Sequence, residues 1–490
     1  MITMLILVIL LLLFIIVMQR KLKYPANYPP GPFPWPFIGN MYYFKKLCKK
    51  LGGQHLAFSE LSKQYNSNVI SLRLGDSDTI IVSNSKSIYK VLSQTEYDGR
   101  PWNEFIKIRN MGMRSGITMN DGPEWKKLRS WTVYALKNAG FAQKQIMELL
   151  LNELELILKK LKKGGVQDIQ TIIAPTIINV LWILIAGKRF SQDQRLQNFL
   201  NLMQRRSVIF DMFGGVLSIF PWLRFVFPEK SGYSLLVKIN NELKSLLMEA
   251  INEHKERFIE GKKEDFIDMF LHEMLTQKDK NTVFSDENLI VTLIDLFIAG
   301  TKTTTATLEV LFLQMANHQD VQRKLQEEID IIIGSRFPHI EDKIKMPFTE
   351  AVLMETQRRY LVAPVIGPRR VLDDTTLEGY TIPKNSTVLI NIHSISMDEE
   401  LFPDPESFKP ERHLDENGAC RKVENFTPFG KGKRRCPGEA LAKSALFLLL
   451  VGVLQKYNLL PVPGEKSITA EFTSGLIISP KPYKMLIVPR

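Results

Sequence analysis

The segment Phe429-Gly-Lys-Gly432-Lys-Arg434-Arg-Cys436-Pro-Gly438-Glu439 constrains this chain more than any other. Gly430 and Gly432 let backbone approach a flat ligand where side chains would clash. Cys436 stands just ahead of an apolar, helix-like run, so free N–H groups from Gly438 onward would favour a thiolate. Arg434 adds positive charge there and could pair with a carboxylate. The other cysteines are Cys48 and Cys420, and three is too few and too odd for a disulfide framework. No Cys-x-x-Cys exists, so one cysteine could not hold zinc or an iron–sulfur cluster alone. A nucleophilic thiolate would need an acid–base histidine, and none of the seven stands at a recognisable spacing.

The opposite end reads differently. Met1 to Met18 is apolar apart from Thr3, and Arg20, Lys21 and Lys23 follow. Eighteen helical residues span roughly 27 Å, about one hydrocarbon core. Charge after the run and the lack of a small-residue cleavage site predict an uncleaved signal-anchor over residues 1–18, its basic flank and catalytic body cytosolic. Residues 19–36 read as a basic, Pro-rich linker, with Tyr28 to Pro36 a stiff extended spacer. The net charge of +12 suits an anionic lipid surface or an acidic partner. No zinc-finger spacing, basic heptad helix or RNA-binding aromatic motif accompanies it, which argues against nucleic acid.

Residues 37–490 read as one large domain, mainly α with a minor β-sheet component. Val69–Leu74 and Thr79–Val82 look like a β-ribbon. Apolar periodicity predicts helices at Gln143–Lys163, Asp168–Ile185, Leu235–Ile259, Phe266–Thr276, Asp286–Ala316 and about Gly438 to Tyr457. Ser285 is the expected N-cap of the longest. That helix contains Ala299-Gly300-Thr301-Lys302-Thr303-Thr304-Thr305, poor helix-forming chemistry. Local widening, back-bonding hydroxyls or tight packing over Ala-Gly would each account for it.

Phe-x-x-Gly-x-Arg-x-Cys-x-Gly, complete at 429–438, resembles the haem-ligand signature of the cytochrome P-450 haem-thiolate monooxygenases, of the microsomal animal type that includes insect members. Glu355-Thr-Gln-Arg358 and Phe408-Lys-Pro-Glu-Arg412 are similar to the family's structural Glu–Arg–Arg cluster. Trp125-Lys-Lys-Leu-Arg129 resembles its Trp-x-x-x-Arg helix, both side chains facing a haem propionate, and Arg369 resembles a further propionate contact. The resemblance implies a cytochrome P-450 fold and haem b with Cys436 as axial thiolate and metal ligand. Trp125, Arg129, Arg369 and Arg434 would bind the cofactor, and Thr303 would be the catalytic residue for proton delivery and oxygen positioning.

The chain departs from the family where an Asp or Glu usually precedes that threonine: Lys302 stands there and offers donors only. Either Lys302 points to solvent and water feeds Thr303, which the intact Thr303 favours, or oxygen activation is altered. Asp295 and Glu309 stand two turns away, too far to be obvious substitutes. Lys431, Lys433, Arg434 and Arg435, with Lys126 and Lys127, would face an acidic NADPH-dependent flavoprotein reductase, with cytochrome b5 as an optional second donor. The chain has no dinucleotide fingerprint, so NADPH would bind that partner. Phe105–Met119, Leu202–Phe213, Leu296–Ala299, Val362–Ile366 and Phe472–Ile477 should wall an apolar pocket, and Arg109 or Arg114 could meet a substrate carboxylate. Phe210–Phe227 is a greasy loop able to dip into the bilayer, or a core segment. The expected activity is hydroxylation or epoxidation of a lipophilic hormone, terpenoid, fatty acid, steroid or xenobiotic with O2 at the endoplasmic-reticulum membrane. A redox-independent isomerase or dehydratase, and a haem sensor or lipophile carrier, are the alternatives.

Overall fold

A 32-residue helix, Asp286–Asn317, forms the axis around which the other elements pack. The computed structural model describes residues 2–21, 24–35, 38–75, 77–137, 144–190, 194–209, 216–276, 283–421, 423, 426–473 and 475–490. Ser285 caps the helix, its hydroxyl accepting from Asn288 N–H at 3.2 Å, and Asp286 and Glu287 occupy the favoured first turn. The helix is long and apolar enough to cross a membrane. Its residues Leu289–Asp295 and Thr305–Ala316 are buried in protein, however, so it is a core helix.

The Gly-Thr patch does not break the helix. Three of its four threonine hydroxyls bond back one turn instead: Thr301 to Phe297 O at 2.7 Å, Thr303 to Ala299 O at 2.9 Å and Thr305 to Thr301 O at 2.7 Å. A Cβ on Gly300 would sit 2.9 Å from Leu181 on the crossing helix Gln170–Ala186, so close packing also selects glycine here.

The helices foreseen from periodicity appear as Lys144–Leu161, Gln170–Ala186, Tyr233–Glu256, Phe266–Thr276, Asp286–Asn317 and Glu439–Lys456. Glu439–Lys456 is buried almost all round, which explains its weak polar face. Strands Val69–Leu74 and Ser77–Val82 form the expected hairpin and extend into a four-stranded sheet. Thr387–Asn391 adds parallel to the second strand, and Val365–Arg370 adds antiparallel beyond it. A register shift between Ile366 and Arg369, at Gly367-Pro368, bends that last strand and turns Arg369 inward, where it is 1% exposed.

The Pro-rich stretch is extended but is not a free spacer. Pro30 O accepts from Ser71 N–H and Pro29 O from Ser71 Oγ, both at 2.8 Å, and Asn40 holds Pro32 O at 2.9 Å. The body therefore begins before residue 37. Ile2–Lys21 is helical, and its side chains from Ile2 to Leu13 are exposed. Positions 210–215 of the greasy run lie outside the described residues. The rest forms two short helices, Val216–Ile219 and Leu223–Val226, with Trp222, Phe225, Val226 and Phe227 exposed and Leu217 buried.

Candidate active site

The Cys436 loop is shaped by its own backbone. Cys436 N–H donates to Phe429 O at 2.9 Å, closing the turn. Gly432 has φ of +70°, and a Cβ there would lie 2.4 Å from Leu92 O, a backbone atom that cannot yield. Of the three cysteines only Cys436 lines the cavities found among the described residues, and it lines all three. One is an apolar cavity of about 410 Å³ reaching Thr303, one a pocket of about 100 Å³ under Gly300, and one an open basin of about 750 Å³ on the other side.

The expected pull of the Gly438 N–H on the Cys436 thiol is present but does not prevail. Burial pushes the Cys436 thiol up, and this outweighs the Gly438 N–H and the Arg129 and Arg435 charges that pull it down. Cys436 is exposed to the cavities it lines, yet the protein packed around it desolvates the sulfur, and a bound metal ion would hold it deprotonated.

Beside the loop stand the four guanidinium groups of Arg100, Arg129, Arg369 and Arg434, with too few anions. Arg434 donates to the carbonyls of Asp98 and Asn120 rather than to a carboxylate, and stacks 3.4 Å over the Trp125 ring. Arg369 pairs with Asp98 at 3.1 Å. Arg100, which the sequence reading missed, is buried and donates to Thr118 O at 2.9 Å and to Pro368 O. Burial and mutual repulsion lower Arg369 to about 10 and Arg434 to about 9, with Asp98 opposing. Arg369 Nε and Arg434 Nη1 are buried without a hydrogen-bond partner. Such a cluster calls for a multiply charged anion between these side chains.

Trp125 and Arg129 line the open basin rather than the apolar cavity. The resemblance implies that both face a haem propionate. The indole donates to Ile117 O at 2.9 Å, while Arg129 donates to Lys433 O at 2.8 Å and to Arg435 O, bracing the Cys436 loop from behind.

The apolar cavity draws on the expected segments: Phe105, Met203, Ile298, Val362 and Ile477 each contribute. Thr303 lines it, and so does Lys302, which does not point purely to solvent as foreseen. Arg114 pairs with Asp121 at 3.0 Å and does not line the cavity; Arg109 does, but Asp295 already holds it at 2.8 Å.

These features converge with the chain's relatives. A family model described as Cytochrome P450 matches residues 29–487. The chain belongs to the cytochrome P450 family. It is 37% identical over 479 residues to a Drosophila melanogaster protein named "Probable cytochrome P450 305a1", covering 95% of both chains. It is 37% identical over 467 residues to the Bombyx mori protein named farnesoate epoxidase, covering 94% of both. Mouse cytochrome P450 2J5 is 33% identical over 476 residues, 96% of this chain and 92% of its own.

A cytochrome P450 is a haem-thiolate monooxygenase, and the site fits that cofactor. The unpartnered Arg369 and Arg434 nitrogens suit anionic propionates, Gly430 borders the cavity without a side chain, and Cys436 stands between the cavities. Behind it, Glu355 and Arg358 are fully buried and joined by two bonds, at 2.8 and 2.9 Å. Arg412 adds a bond at 3.1 Å, and His413 Nε2, which the sequence reading missed, lies at 3.0 Å. Burial would raise the Glu355 carboxyl, yet bonds from Arg358 and His413 prevail and hold it at about 2.

Proposed function

We propose that this cytochrome P450 is anchored by residues 1–18 in the endoplasmic-reticulum membrane, with its catalytic body in the cytosol. There it takes electrons from NADPH through a flavoprotein reductase, cytochrome b5 serving as an optional second donor, and inserts one atom of O2 into a lipophilic small molecule. The observation that carries this reading is one apolar cavity walled by both Thr303 and Cys436. Haem held by Cys436 would supply the oxygen-activating iron, the thiolate favouring O–O cleavage. Arg369 and Arg434 would hold the propionates, with Trp125 and Arg129 stabilising the loop beside them. Thr303 gives its proton to Ala299 O, so its oxygen lone pairs are left to orient a donor in the cavity.

At about 410 Å³ the cavity suits an apolar small molecule, and the named action of one relative on farnesoate supports terpenoid acids or esters as candidates. The open basin is rimmed by Lys126, Lys137, Lys433, Arg435 and Lys443 against one carboxylate, Glu439, which supports an acidic reductase docking there. The exposed apolar helix Ile2–Lys21 and the exposed Trp222, Phe225 and Phe227 support membrane contact.

The test begins with the absorption spectrum of reduced, carbon-monoxide-bound protein in membranes, beside Cys436→His. A thiolate-type Soret band present in the wild type and lost in the variant is expected. Added reductase and NADPH should then oxidise farnesoate in a substrate-dependent way. NADPH-independent conversion, or no haem in folded protein, would overturn the reading.

A further inference from the structure

The cavity beside Thr303 lacks a free acid. Among the described residues lining it Asp295 is the only carboxylate, and both its oxygens are taken. Arg109 holds one at 2.8 Å, while Ile117 N–H at 2.9 Å and Thr118 N–H at 2.8 Å hold the other. Lys302 lines the same cavity, half-buried, and makes no hydrogen bond or ion pair among the described residues.

Seven residues on, Glu309 lies on the same stripe of the central helix. It is 3% exposed, and its Oε2 has no partner. Gln170 donates to its carboxyl, the Asp168 and Lys302 charges act on it through space, and the Tyr483 hydroxyl donates to its backbone carbonyl. Burial pushes the carboxyl up to about 7, against the lowering pull of Lys302 and Gln170. At neutral pH Glu309 is thus protonated about half the time. Seven residues are about 10.5 Å of helix, a gap that a four-carbon lysine stem and a glutamate side chain can close directly or through one water. Backbone spacing alone, which had set Glu309 aside, ignores that reach.

We propose that Glu309 and Lys302 form a proton conduit into the cavity beside Thr303, in place of a carboxylate at position 302. Lys302 gives a proton from Nζ to an acceptor in the cavity. The carboxylic proton of Glu309 then moves to the neutral Nζ. The carboxylate left at Glu309 is reprotonated from solvent past the half-buried Asp168 and Gln170. Each proton lost at one atom is gained at the next, and no electrons move. Lys302 touches the cavity; Glu309 acts through it.

The conduit rests on the monooxygenase reading, so its test has one arm that needs neither reductase nor substrate. Infrared pH titration of the purified holoprotein should show a carboxylic C=O band with a midpoint near neutral pH. The band should vanish in Glu309→Gln, and its midpoint should rise in Lys302→Met, which removes a charge that favours the carboxylate. In the second arm, with reductase, NADPH and farnesoate as probe, Glu309→Gln should cut product formation about tenfold and send more electrons to hydrogen peroxide. That is less than the hundredfold lower end of positioned acid catalysis, because water still reaches the cavity. Lys302→Glu added to Glu309→Gln should restore coupling. The carbon-monoxide spectrum confirms that each variant is folded. A band absent at neutral pH, a midpoint indifferent to Lys302→Met, or wild-type coupling in Glu309→Gln would each overturn the conduit. If the wild type oxidises no farnesoate, the substrate reading fails and the infrared arm decides the pair alone.

Discussion

Arg109 and Asp295, 186 residues apart in sequence, form a buried ion pair at 2.8 Å that ties the helix Glu104–Arg109 to the central helix. The other oxygen of Asp295 collects the N–H groups of Ile117 and Thr118, so one carboxylate orders one wall of the cavity. A Cβ on the intervening Gly116 would lie 2.7 Å from that same oxygen, which leaves glycine as the fitting residue at its φ of +79°. Replacing Asp295 by Ala strands a buried guanidinium and two backbone donors. We expect a loss of about 3–5 kcal/mol of stability, the cost of breaking a buried pair from one side, measured by denaturant unfolding of the holoprotein. A loss under about 1 kcal/mol would show that water replaces the carboxylate.

Glu355 makes the fold acid-sensitive. Its folded value of about 2 lies below the ordinary 4.5, so it contributes stability in full above about pH 5. That contribution, of order 3 kcal/mol, disappears as pH falls through the carboxylate range towards 2. Unfolding free energies between pH 6 and about pH 3 should fall with that slope. Glu355→Gln should be less stable at neutral pH and should flatten the curve. An unchanged slope in Glu355→Gln would assign the acid sensitivity to other groups.

Two helical glycines should answer alanine to different extents. At Gly452 the new Cβ would lie 2.2 Å from Leu154 Cδ2 and 2.9 Å from its Cγ, in a buried position. Overpacking of about 1–3 kcal/mol should exceed the helix-propensity gain of about 1 kcal/mol. At Gly300 the contacts are the two Leu181 methyls at 2.9 Å, and the pocket of about 100 Å³ beside Leu181 lets them shift. Gly300→Ala should stay within about 1 kcal/mol of wild type. Thermal melts of both variants check the contrast.

Arg369→Gln and Arg434→Gln each remove a charged donor from the arginine cluster proposed to hold the haem propionates. A charge-assisted hydrogen bond is worth about 1.5–3 kcal/mol, so each variant should release haem roughly 10- to 100-fold faster. Transfer of haem to a large excess of apomyoglobin gives the rate. Release as slow as wild type from both variants would mean that the propionates are held elsewhere.

Local chemistry made much of this molecule legible in advance. Ser285 with two acids behind it starts the central helix, β-branched runs form the first hairpin, and Phe429 to Gly438 carries the family signature within ten residues. These are short-range features, in which neighbouring residues supply caps, periodicity and turn geometry. The greasy run after Phe210 was ambiguous because apolar composition alone does not say which side faces protein. The exposed Trp222 and Phe225 show the outward face of the described part.

The sequence by itself determined the element types, the cofactor class and the lone cysteine that holds it, because each depends on residues within a few turns of one another. Only the tertiary structure decided what the charges do. Arg100 joins Arg369 and Arg434, His413 completes the Glu355 cluster, Asp295 is consumed by Arg109, and Lys302 turns towards the cavity with Glu309 buried on its stripe. Protonation and pairing of such groups follow from burial and from partners tens to hundreds of residues away, and no local pattern encodes either.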